Sequence, residues 1–309
     1  MEVFLPNHEI CLNGPTAVAL GFFDGVHLGH AAVIQSARLT GLQTVVITFL
    51  QHPGGKKTLR LMSNRQKEEA FQQLGVEIMA YLDFPQVKDL EPEEFVRDIL
   101  DAQFHAKKVF CGFNYHFGRG AVAGSEELKR ICGKYSIETG CVEPVYSEIK
   151  GEDGPVPISS TLIRGFVENG EMEQAAACLG RPYAFCYEVV SGRRLGRQLG
   201  TPTINQKFPE GFMIPRFGVY ASRAYAGGKQ YPAVTNVGVK PTVGSDCVLA
   251  ETYIIGYEGD LYGTEIKVEL LSFLRGEKKF DGLVQLKNQI GLDAEQSISI
   301  CRTFERSNT

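Results

Sequence analysis

Two histidines stand three residues apart in the stretch GFFDGVHLGH (21–30), which also holds an aspartate and three glycines. His27 and His30 would lie one turn apart on a helix that begins there, so both side chains could face one ligand. Glycines let a backbone approach a phosphate, and the first turn of a helix offers N–H donors and a positive dipole end. A histidine adds a further donor, which is stronger when protonated. The stretch therefore predicts a phosphate-binding corner.

Two other interpretations of this stretch stay open from its residues alone. One is a turn with two exposed histidines and no ligand. The other is a zinc site, although no further Cys or His stands at a matching spacing.

A second candidate site lies in GRRLGRQLGTPTIN (192–205), which is rich in glycine and arginine. Such a loop suits nucleotide phosphates. Thr203 and Asn205 are two residues apart, so on an extended strand both side chains point the same way. Two oxygen ligands on one face suit Mg²⁺. An ordinary basic hairpin loop is the alternative.

Hydroxyl groups and an arginine follow one another in ISSTLIR (158–164). The hydroxyls could contact phosphate oxygens, and Arg164 could supply a fixed positive fork. A capped helix start is the alternative, because Ser and Thr are common before the first turn.

The elements that must position these residues alternate between strand and helix in the first half of the chain. Apolar runs predict buried strands at 16–23, 43–49, 76–84, 106–114 and 137–146. Helical patterns separate them, at 63–75, 91–104 and 126–136 among others. This alternation predicts an α/β domain with a doubly wound parallel sheet, in which ligands bind at the carboxyl ends of the strands.

The pattern changes near residue 181. Two short helices are predicted over 160–180, ending at Gly180. Short strands rich in Val, Tyr, Ile and Thr follow, divided by glycine turns, and a helix is predicted over 280–304. We therefore predict a small antiparallel β-barrel with a terminal helix, and two domains, 1–181 and 182–309.

Length, charge and cysteine usage narrow the class of protein. The 309 residues are enough for two domains, and the net charge of −4 gives no general attraction to nucleic acid or membrane. The eight cysteines form no CxxC pair, which favours reduced thiols in the cytoplasm. The sequence shows no signal peptide and no apolar run of about 18 residues. We expect a cytoplasmic protein with no nucleic-acid or membrane partner, and leave a weak homo-oligomer open.

The ordered set of motifs resembles the bacterial bifunctional riboflavin kinase/FAD synthetase family over about residues 14–290. GFFDGVHLGH resembles GxFDGxHxGH and ISSTLIR resembles ISSTxIR, both signatures of nucleotidyltransferases. CGFNYHFGRGAVAG (111–124) resembles the GxNFxFGxxxxG loop of FAD synthetases. GRRLGRQLGTPTIN resembles the riboflavin kinase signature GxxxGRxLGFPTAN. Three later segments, 232–243, 250–263 and 272–290, resemble further kinase segments.

This resemblance implies a transferase with two activities. A Rossmann-like nucleotidyltransferase domain would adenylylate FMN with ATP to give FAD and pyrophosphate. A C-terminal riboflavin kinase barrel would phosphorylate riboflavin to FMN with ATP, giving ADP. The expected ligands are riboflavin, FMN, FAD, ATP, ADP and pyrophosphate, with Mg²⁺ accompanying ATP and no bound prosthetic group.

The resemblance also implies roles for residues of the first domain. His27 and His30 would be catalytic, stabilising the triphosphate as pyrophosphate leaves. The ATP-binding residues would be Gly21, Phe22, Asp24, Gly25, His27, Gly29, His30, Ser159, Ser160, Thr161 and Arg164. The FMN-binding residues would be His52, Pro53, Asn114 and Phe117, although Phe117 could equally belong to the core.

In the barrel, the resemblance makes Glu251 the general base for the ribityl 5′-hydroxyl, with a solvated strand residue as the alternative. Glu251 and Arg275 would bind the flavin. Thr203 and Asn205 would hold the metal. The ATP-binding residues would be Gly192, Arg197, Gly200, Thr203, Asn205 and Asn236.

Three residues depart from the family pattern. Gln51 stands where Pro or Asp is usual, Tyr187 where Gly is frequent, and Thr201 where Phe is frequent. These departures leave open the loss of one activity. A flavin-binding regulator without turnover is a further alternative, as is transfer to a different phosphorylated acceptor, which would not explain the kinase-like barrel.

Overall fold

The structure is a computed structural model, which describes residues 1–6, 10–51, 58–192, 200–242 and 245–307. The chain divides into two compact units, Met1–Ser160 and Thr161–Thr309. Each unit is described by itself.

The first unit is a parallel sheet of six strands, in the order β1–β4–β3–β2–β5–β6. The strands are β1 Glu2–Phe4, β2 Thr16–Leu20, β3 Gln43–Phe49, β4 Ile78–Leu82, β5 Ala106–Gly112 and β6 Glu138–Val142. The helices are α1 Leu28–Arg38, α2 Asn64–Gln73, α3 Phe84–Val87, α4 Pro92–Glu94, a π-helix Phe95–Gln103, a 3₁₀ turn Arg119–Ala121 and α5 Ser125–Lys134. A short hairpin follows, formed by β7 Tyr146–Ser147 and β8 Val156–Pro157.

The central strands are apolar throughout because both faces of the sheet are covered. In β2, Val18 and Leu20 pack in the cluster that contains the π-helix and α5. Ala17 and Ala19 face the opposite cluster, which contains residues of α1 and α2. The small alanine side chains on that face let α1 lie close to the sheet.

This arrangement confirms the predicted doubly wound parallel sheet. The features that were not predicted include the edge strand β1, the short helix α3 and the hairpin β7–β8. The single helix expected over 91–104 forms as one turn of α4 that continues into the π-helix.

The second unit is a closed antiparallel barrel preceded by two helices and followed by one. The helices α6 Ser160–Asn169 and α7 Met172–Leu179 come first, and α7 ends at Gly180 in the left-handed region, with φ 72°. The barrel order is β10–β13–β12–β11–β14–β9. Its elements are β9 Tyr183–Val190, β10 Thr203–Lys207, β11 Gly218–Ala226, β12 Lys229–Thr242, β13 Ser245–Ile254, β14 Glu265–Arg275 and the terminal helix α8 Leu283–Ser307. The predicted barrel with a terminal helix is confirmed.

The terminal helix is fixed where β11 bulges. The ladder between β11 and β14 shifts register between Ala221 and Ser222, and a bulge leaves backbone groups without ladder partners. The Ser297 hydroxyl accepts from the Ser222 N–H (3.3 Å) and donates to the Ala233 carbonyl (2.6 Å). The Cys301 thiol donates to the Ser222 carbonyl (3.4 Å). Buried side chains of α8 therefore form hydrogen bonds with backbone groups at and beside the bulge, and these bonds fix α8 on the barrel.

Candidate active sites

The corner between β2 and α1 has a backbone conformation that residues other than glycine seldom adopt. Phe23 has φ 57°, Gly25 has φ 83° and Val26 has φ 40°. A positive φ is a marked outlier for a β-branched residue such as valine. A residue in such a conformation raises the free energy of the folded state, so the conformation persists only where surrounding contacts hold it. Such residues are concentrated at functional sites.

The two histidines meet at the start of α1. His27 is the N-cap residue, and its Nδ1 accepts a hydrogen bond from the His30 N–H at 3.3 Å. The two rings stack with centroids 3.6 Å apart and planes 19° apart. Because Nδ1 of His27 is an acceptor, the proton of this ring lies on Nε2. The structure thus brings the predicted pair together, and His27 is buried rather than exposed as in the ligand-free turn considered above.

The first turn of α1 keeps two backbone donors beside this pair. The N–H groups of Leu28 and Gly29 have no hydrogen-bond partner within the described residues. A Cβ atom on Gly29 would lie 3.1 Å from the His27 ring, so any larger residue would push the ring away by a few tenths of an ångström. The corner therefore combines N–H donors of a helix start with imidazole groups, which suits an anionic ligand.

Side chains from distant segments hold the corner in place. Both carboxylate oxygens of the buried Asp24 accept from the Leu61 N–H, at 3.0 and 3.2 Å. The Ser160 hydroxyl donates to the Asp24 carbonyl at 2.8 Å. This last bond ties the ISSTLIR motif to the corner, across 136 positions of sequence.

Two further supports converge on the Phe22 carbonyl and were missed from the sequence. Lys67 Nζ and Thr48 Oγ1 each donate to it at 2.9 Å. Burial lowers the pKa of Lys67 to about 8, against the attraction of Asp24. Lys67 stands four positions before the buried Phe71 on the same face of α2, but that spacing alone does not show that a lysine is buried or that it reaches the corner.

The remaining residues of the ISSTLIR motif lie on or next to α6. Ser159 is half-buried just before the helix, Thr161 is exposed and Arg164 is half-buried one turn after Ser160. The alternative considered for this motif, a helix start, is therefore present in the structure and is compatible with a phosphate-binding role.

The predicted flavin loop divides into an exposed and a buried part. Asn114 is exposed, whereas Phe117 is buried and packs on Phe95 (5.6 Å between centroids) and Tyr115 (5.9 Å). Phe117 also forms a bridge with Ala123 through two backbone hydrogen bonds. The structure thus places Phe117 in the core, the second of the two roles expected for it. His52 and Pro53 lie outside the described residues.

In the barrel, strand register assembles the predicted kinase residues into one row. Asn205 on β10 is directly opposite Glu251 on β13, and Glu251 is directly opposite Asn236 on β12. Directly opposed residues of antiparallel strands share a face. Arg275 on β14 continues the row, since it and Asn236 both oppose Val219 on β11. Residues from four strands therefore lie along one band of the barrel.

Two amide oxygens of this row suit a divalent metal. Asn205 Oδ1 and Asn236 Oδ1 are buried and lack a hydrogen-bond partner among the residues that the structure describes. Asn236 uses its amide nitrogen to donate to Glu277 Oε1 (3.3 Å). A Cβ on Gly192 would overlap the Asn205 side chain, so the backbone passes closely over this amide. Hard oxygen ligands without other partners fit Mg²⁺, and Thr203 projects on the same side of β10 as Asn205.

A shallow cleft borders Thr203. Its lining includes Pro202, Ile254, Tyr257 and Tyr262, none of which the sequence had singled out. Aromatic and aliphatic walls beside a few polar groups are typical of binding sites for small molecules. Gly200 precedes the cleft in the left-handed region, with φ 74°, and Arg197 lies outside the described residues.

Arg275 is anchored by a carboxylate that sequence analysis did not identify. Its Nη2 lies 2.7 Å from Asp293 Oδ2 on α8, and Gln289 Nε2 donates to Asp293 Oδ1 at 2.9 Å. The side chains are 14% and 4% exposed, so the ion pair is buried. The terminal helix therefore fixes the end of the row.

The departures in the barrel have different surroundings. Tyr187 packs in an aromatic cluster with Phe185, Phe208 and Phe212, at centroid distances of 5.5, 5.6 and 6.0 Å. Its ring thus belongs to the barrel core. The Thr201 hydroxyl is buried and has no partner in the described part of the chain.

Comparisons with known proteins follow the division into two units. The family model described as FAD synthetase matches residues 11–161, and the one described as riboflavin kinase matches residues 179–301. A bifunctional riboflavin kinase/FMN adenylyltransferase of Listeria monocytogenes is 35% identical over 293 residues, covering 91% of this chain and 90% of that protein. The Bacillus subtilis protein of the same name is 32% identical and covers 92% of each chain.

A solved structure is similar over nearly the whole chain. It is described as a macrolide-efflux protein from Streptococcus pneumoniae, with a TM-score of 0.85, 30% identity and coverage of 96% of this chain and 99% of that one. The efflux description concerns that protein alone. Within the described segments of the present chain, we find no helix with the length and apolar character needed to span a membrane.

Proposed function

Because this chain belongs to the bifunctional riboflavin kinase/FMN adenylyltransferase family, we propose that its two reactions are carried by the two residue sets described above. The enzyme phosphorylates riboflavin to FMN with ATP, and adenylylates FMN to FAD with release of pyrophosphate. One observation supports the assignment most directly. The histidine pair is assembled within the first unit, and the Asn205–Glu251–Asn236 row within the second.

We place the functional boundary at 181/182, so that 1–181 serves adenylyl transfer and 182–309 serves the kinase. The compact units divide earlier, after Ser160, and thus group α6 and α7 with the barrel. The ISSTLIR motif on α6 is the reason for keeping these helices with the first function.

Adenylyl transfer forms a bond between an FMN phosphate oxygen and the α-phosphorus of ATP and breaks the bond to pyrophosphate. Such reactions depend on positioning and charge stabilisation. The Nε2–H of His27, His30 and the N–H groups of Leu28 and Gly29 would donate to the triphosphate and to the departing pyrophosphate. Arg164 would add positive charge, and Ser159 and Thr161 would add hydroxyl contacts.

Other predicted residues would shape the first site. Gly21, Phe22 and Gly25 form the corner backbone. The Asp24 carboxylate accepts a hydrogen bond from the Leu61 N–H, and the Ser160 hydroxyl donates to the Asp24 carbonyl. Asp24 and Ser160 would therefore act by holding the corner in place. Asn114, His52 and Pro53 stay assigned to FMN, and Phe117 would anchor that loop from the core.

Kinase chemistry requires removal of a proton from the ribityl 5′-hydroxyl as its oxygen attacks the γ-phosphorus of ATP, with ADP leaving. Glu251 would accept this proton. Enzymes of this class use a divalent metal with ATP, and Mg²⁺ is our proposal for it. Thr203 and Asn205 would hold the ion, which when bound neutralises phosphate charge.

The other residues of the row would bind substrates. Asn236, Gly192, Gly200 and Arg197 stay assigned to ATP, whose adenine would occupy the cleft beside Thr203. Arg275, oriented by Asp293, would bind the flavin. We also propose a cytoplasmic protein, because its eight cysteines form no CxxC pair. We propose that it has no nucleic-acid or membrane partner, because its net charge is −4, and we leave a weak homo-oligomer open.

One incubation tests both activities. Pure protein is mixed with riboflavin, ATP and MgCl₂, and flavins are separated by chromatography. Both FMN and FAD should form. FMN without FAD would remove the adenylyltransferase assignment. FAD that forms only when FMN is supplied would remove the kinase assignment.

Two substitutions test the division of labour. Glu251→Gln should lower FMN formation by roughly 10²- to 10⁴-fold and leave FMN-to-FAD conversion intact, whereas His30→Ala should do the reverse. Glu258→Gln, at an exposed position after β13, is the matched control for the first. If each variant loses both activities, the assignment of separate residue sets is wrong.

A further inference from the structure

A buried lysine reaches the backbone of the adenylyltransferase corner. Lys67 on α2 is 2% exposed, and its Nζ donates to the Phe22 carbonyl at 2.9 Å while lying 4.2 Å from the centre of the Phe22 ring. Thr48, at the end of β3, donates to the same carbonyl at 2.9 Å. Two donors from separate elements therefore fix one peptide group.

The orientation of this carbonyl determines what the next residue offers. A trans peptide is planar, and its N–H points opposite to its carbonyl. With the Phe22 carbonyl held towards Lys67 and Thr48, the Phe23 N–H faces away from them. That N–H has no hydrogen-bond partner within the described ranges of the chain. Phe23 itself has φ 57°, so this orientation needs outside support.

The charge of Lys67 also affects the hydrogen bonding of the Phe22–Phe23 peptide. An ammonium group donating to a carbonyl polarises the peptide and makes its N–H a stronger donor, because linked hydrogen bonds strengthen one another. The charged groups that act on Lys67 are Asp24 and Glu68, which favour its ammonium form, and Arg60, which opposes it. Desolvation is the largest influence and lowers the pKa of Lys67 to about 8, so the ammonium form predominates at neutral pH.

We propose that Lys67 is a positioning residue for adenylyl transfer, which fixes and polarises the Phe22–Phe23 peptide so that the Phe23 N–H is presented to the triphosphate of ATP. This inference rests on the proposed adenylyltransferase site and deepens it. A preorganised donor aimed at developing negative charge acts on the transition state more than on the bound substrate. Loss of Lys67 should therefore lower kcat more than it changes KM.

The test uses the full chain and measures both reactions in the same preparation. Lys67→Met, which keeps the length of the side chain without its charge, should lower kcat for FMN adenylylation about 10- to 100-fold. KM for ATP should change less than about threefold, and riboflavin phosphorylation should be unchanged. Thr48→Val should lower the same kcat by a smaller factor. Arg65→Met, an exposed position on α2, is the matched control and should have no effect.

The pH profile separates positioning from a purely structural role. In the wild type, kcat for adenylylation should fall as pH rises through about 8, because the active form of Lys67 is protonated. Lys67→Arg retains charge throughout this range and should recover part of the activity without this alkaline fall. If Lys67→Met does not fold, this comparison decides, and the same alkaline fall in both proteins would overturn the proposal.

His30→Ala distinguishes failure of the inference from failure of the site. If His30→Ala abolishes adenylylation while Lys67→Met keeps the wild-type kcat, the Lys67 proposal is wrong and the site assignment stands. If His30→Ala keeps full activity, the corner is not the adenylyltransferase site and the Lys67 proposal falls with it. Equal losses of both reactions in Lys67→Met would also overturn it, since they indicate general damage to the fold.

Discussion

The two sites of this enzyme differ in what holds their residues together. In the first unit, a corner of ten consecutive residues has positive φ at Phe23 and Val26 and is held by side chains from other segments. In the second, Asn205, Asn236 and Glu251 are far apart in sequence and meet because three hydrogen-bonded strands place them side by side.

This difference predicts how each site responds to change. The corner depends on a few tertiary contacts, so substitutions away from the histidines should move it. The barrel row depends on backbone ladders that no side-chain substitution removes, so it should be sensitive mainly to its own residues and to whatever packs directly on them. The substitutions below test this contrast, from the largest expected free-energy change to the smallest.

Asp293→Ala tests whether the barrel row depends on the terminal helix α8, which carries the partner of Arg275. Removing this carboxylate leaves the guanidinium of Arg275 buried without its partner, and such a change typically costs about 3–5 kcal/mol. The free energy of unfolding of the second unit should fall by about that amount in urea titrations followed by circular dichroism. Glu295→Ala, at an exposed position of α8, is the control and should change it by less than about 0.5 kcal/mol. A similarly small effect of Asp293→Ala would show that α8 contributes little to the barrel.

Gly192→Ala tests the row at its most crowded point. The added Cβ would overlap the Asn205 amide and displace this proposed metal ligand. We expect kcat/KM for riboflavin phosphorylation to fall by about 100-fold, or about 3 kcal/mol, with FMN adenylylation unchanged. Gly291→Ala in α8, where a Cβ meets no atom within 4 Å, is the matched control. Unchanged kinase activity in Gly192→Ala would mean that the position of Asn205 does not matter to the reaction.

Gly29→Ala is the counterpart in the first unit. Its Cβ would press on the His27 ring at 3.1 Å, a contact that a shift of a few tenths of an ångström can relieve. Adenylylation should fall by roughly 30-fold, or about 2 kcal/mol, while the kinase reaction is unaffected. Gly133→Ala in α5 has open space around its Cβ and provides the control. If Gly29→Ala were harmless, the stacked arrangement of the two histidines would not be required for the reaction.

The same contrast explains what the sequence could and could not predict. The corner is contiguous, so GFFDGVHLGH shows its histidines and glycines directly, but its supports Lys67, Thr48 and Leu61 come from segments with no visible link to it. Burial of a lysine depends on tertiary packing, which periodicity within one helix does not specify. The sheet and the barrel were predictable because strand and helix periods are local properties.

The barrel row required a different kind of information. No spacing in the sequence relates Asn205, Asn236 and Glu251, because register between strands is set by the whole barrel. Asn205 was predicted from its spacing to Thr203, whereas Asn236 and Glu251 came from the family resemblance. The Arg275–Asp293 pair lay beyond it, since the carboxylate belongs to a helix whose sequence shows only amphipathic periodicity.

The smallest expected effect concerns Lys67 and links stability to pH. Its pKa is about 8 in the folded protein and 10.5 when unperturbed. Between these values the unfolded chain binds more protons, so stability rises with pH, whereas below the folded value the cost of burying the charge is fully present. The wild type should therefore gain about 1 kcal/mol in free energy of unfolding relative to Lys67→Met between about pH 7.5 and about pH 9. Urea titrations of the two proteins at each pH measure this difference.

The informative result is whether stability and kcat change in opposite directions as the pH rises. Over the same pH range we expect adenylylation by the wild type to decline while its stability relative to Lys67→Met increases. Arg65→Met, compared with the wild type in the same way, should show a difference in stability that does not vary with pH. A constant difference for Lys67→Met as well would mean that Lys67 does not lose its proton in this range. Opposite trends in stability and kcat would show that the first site uses a charge without which the fold would be more stable.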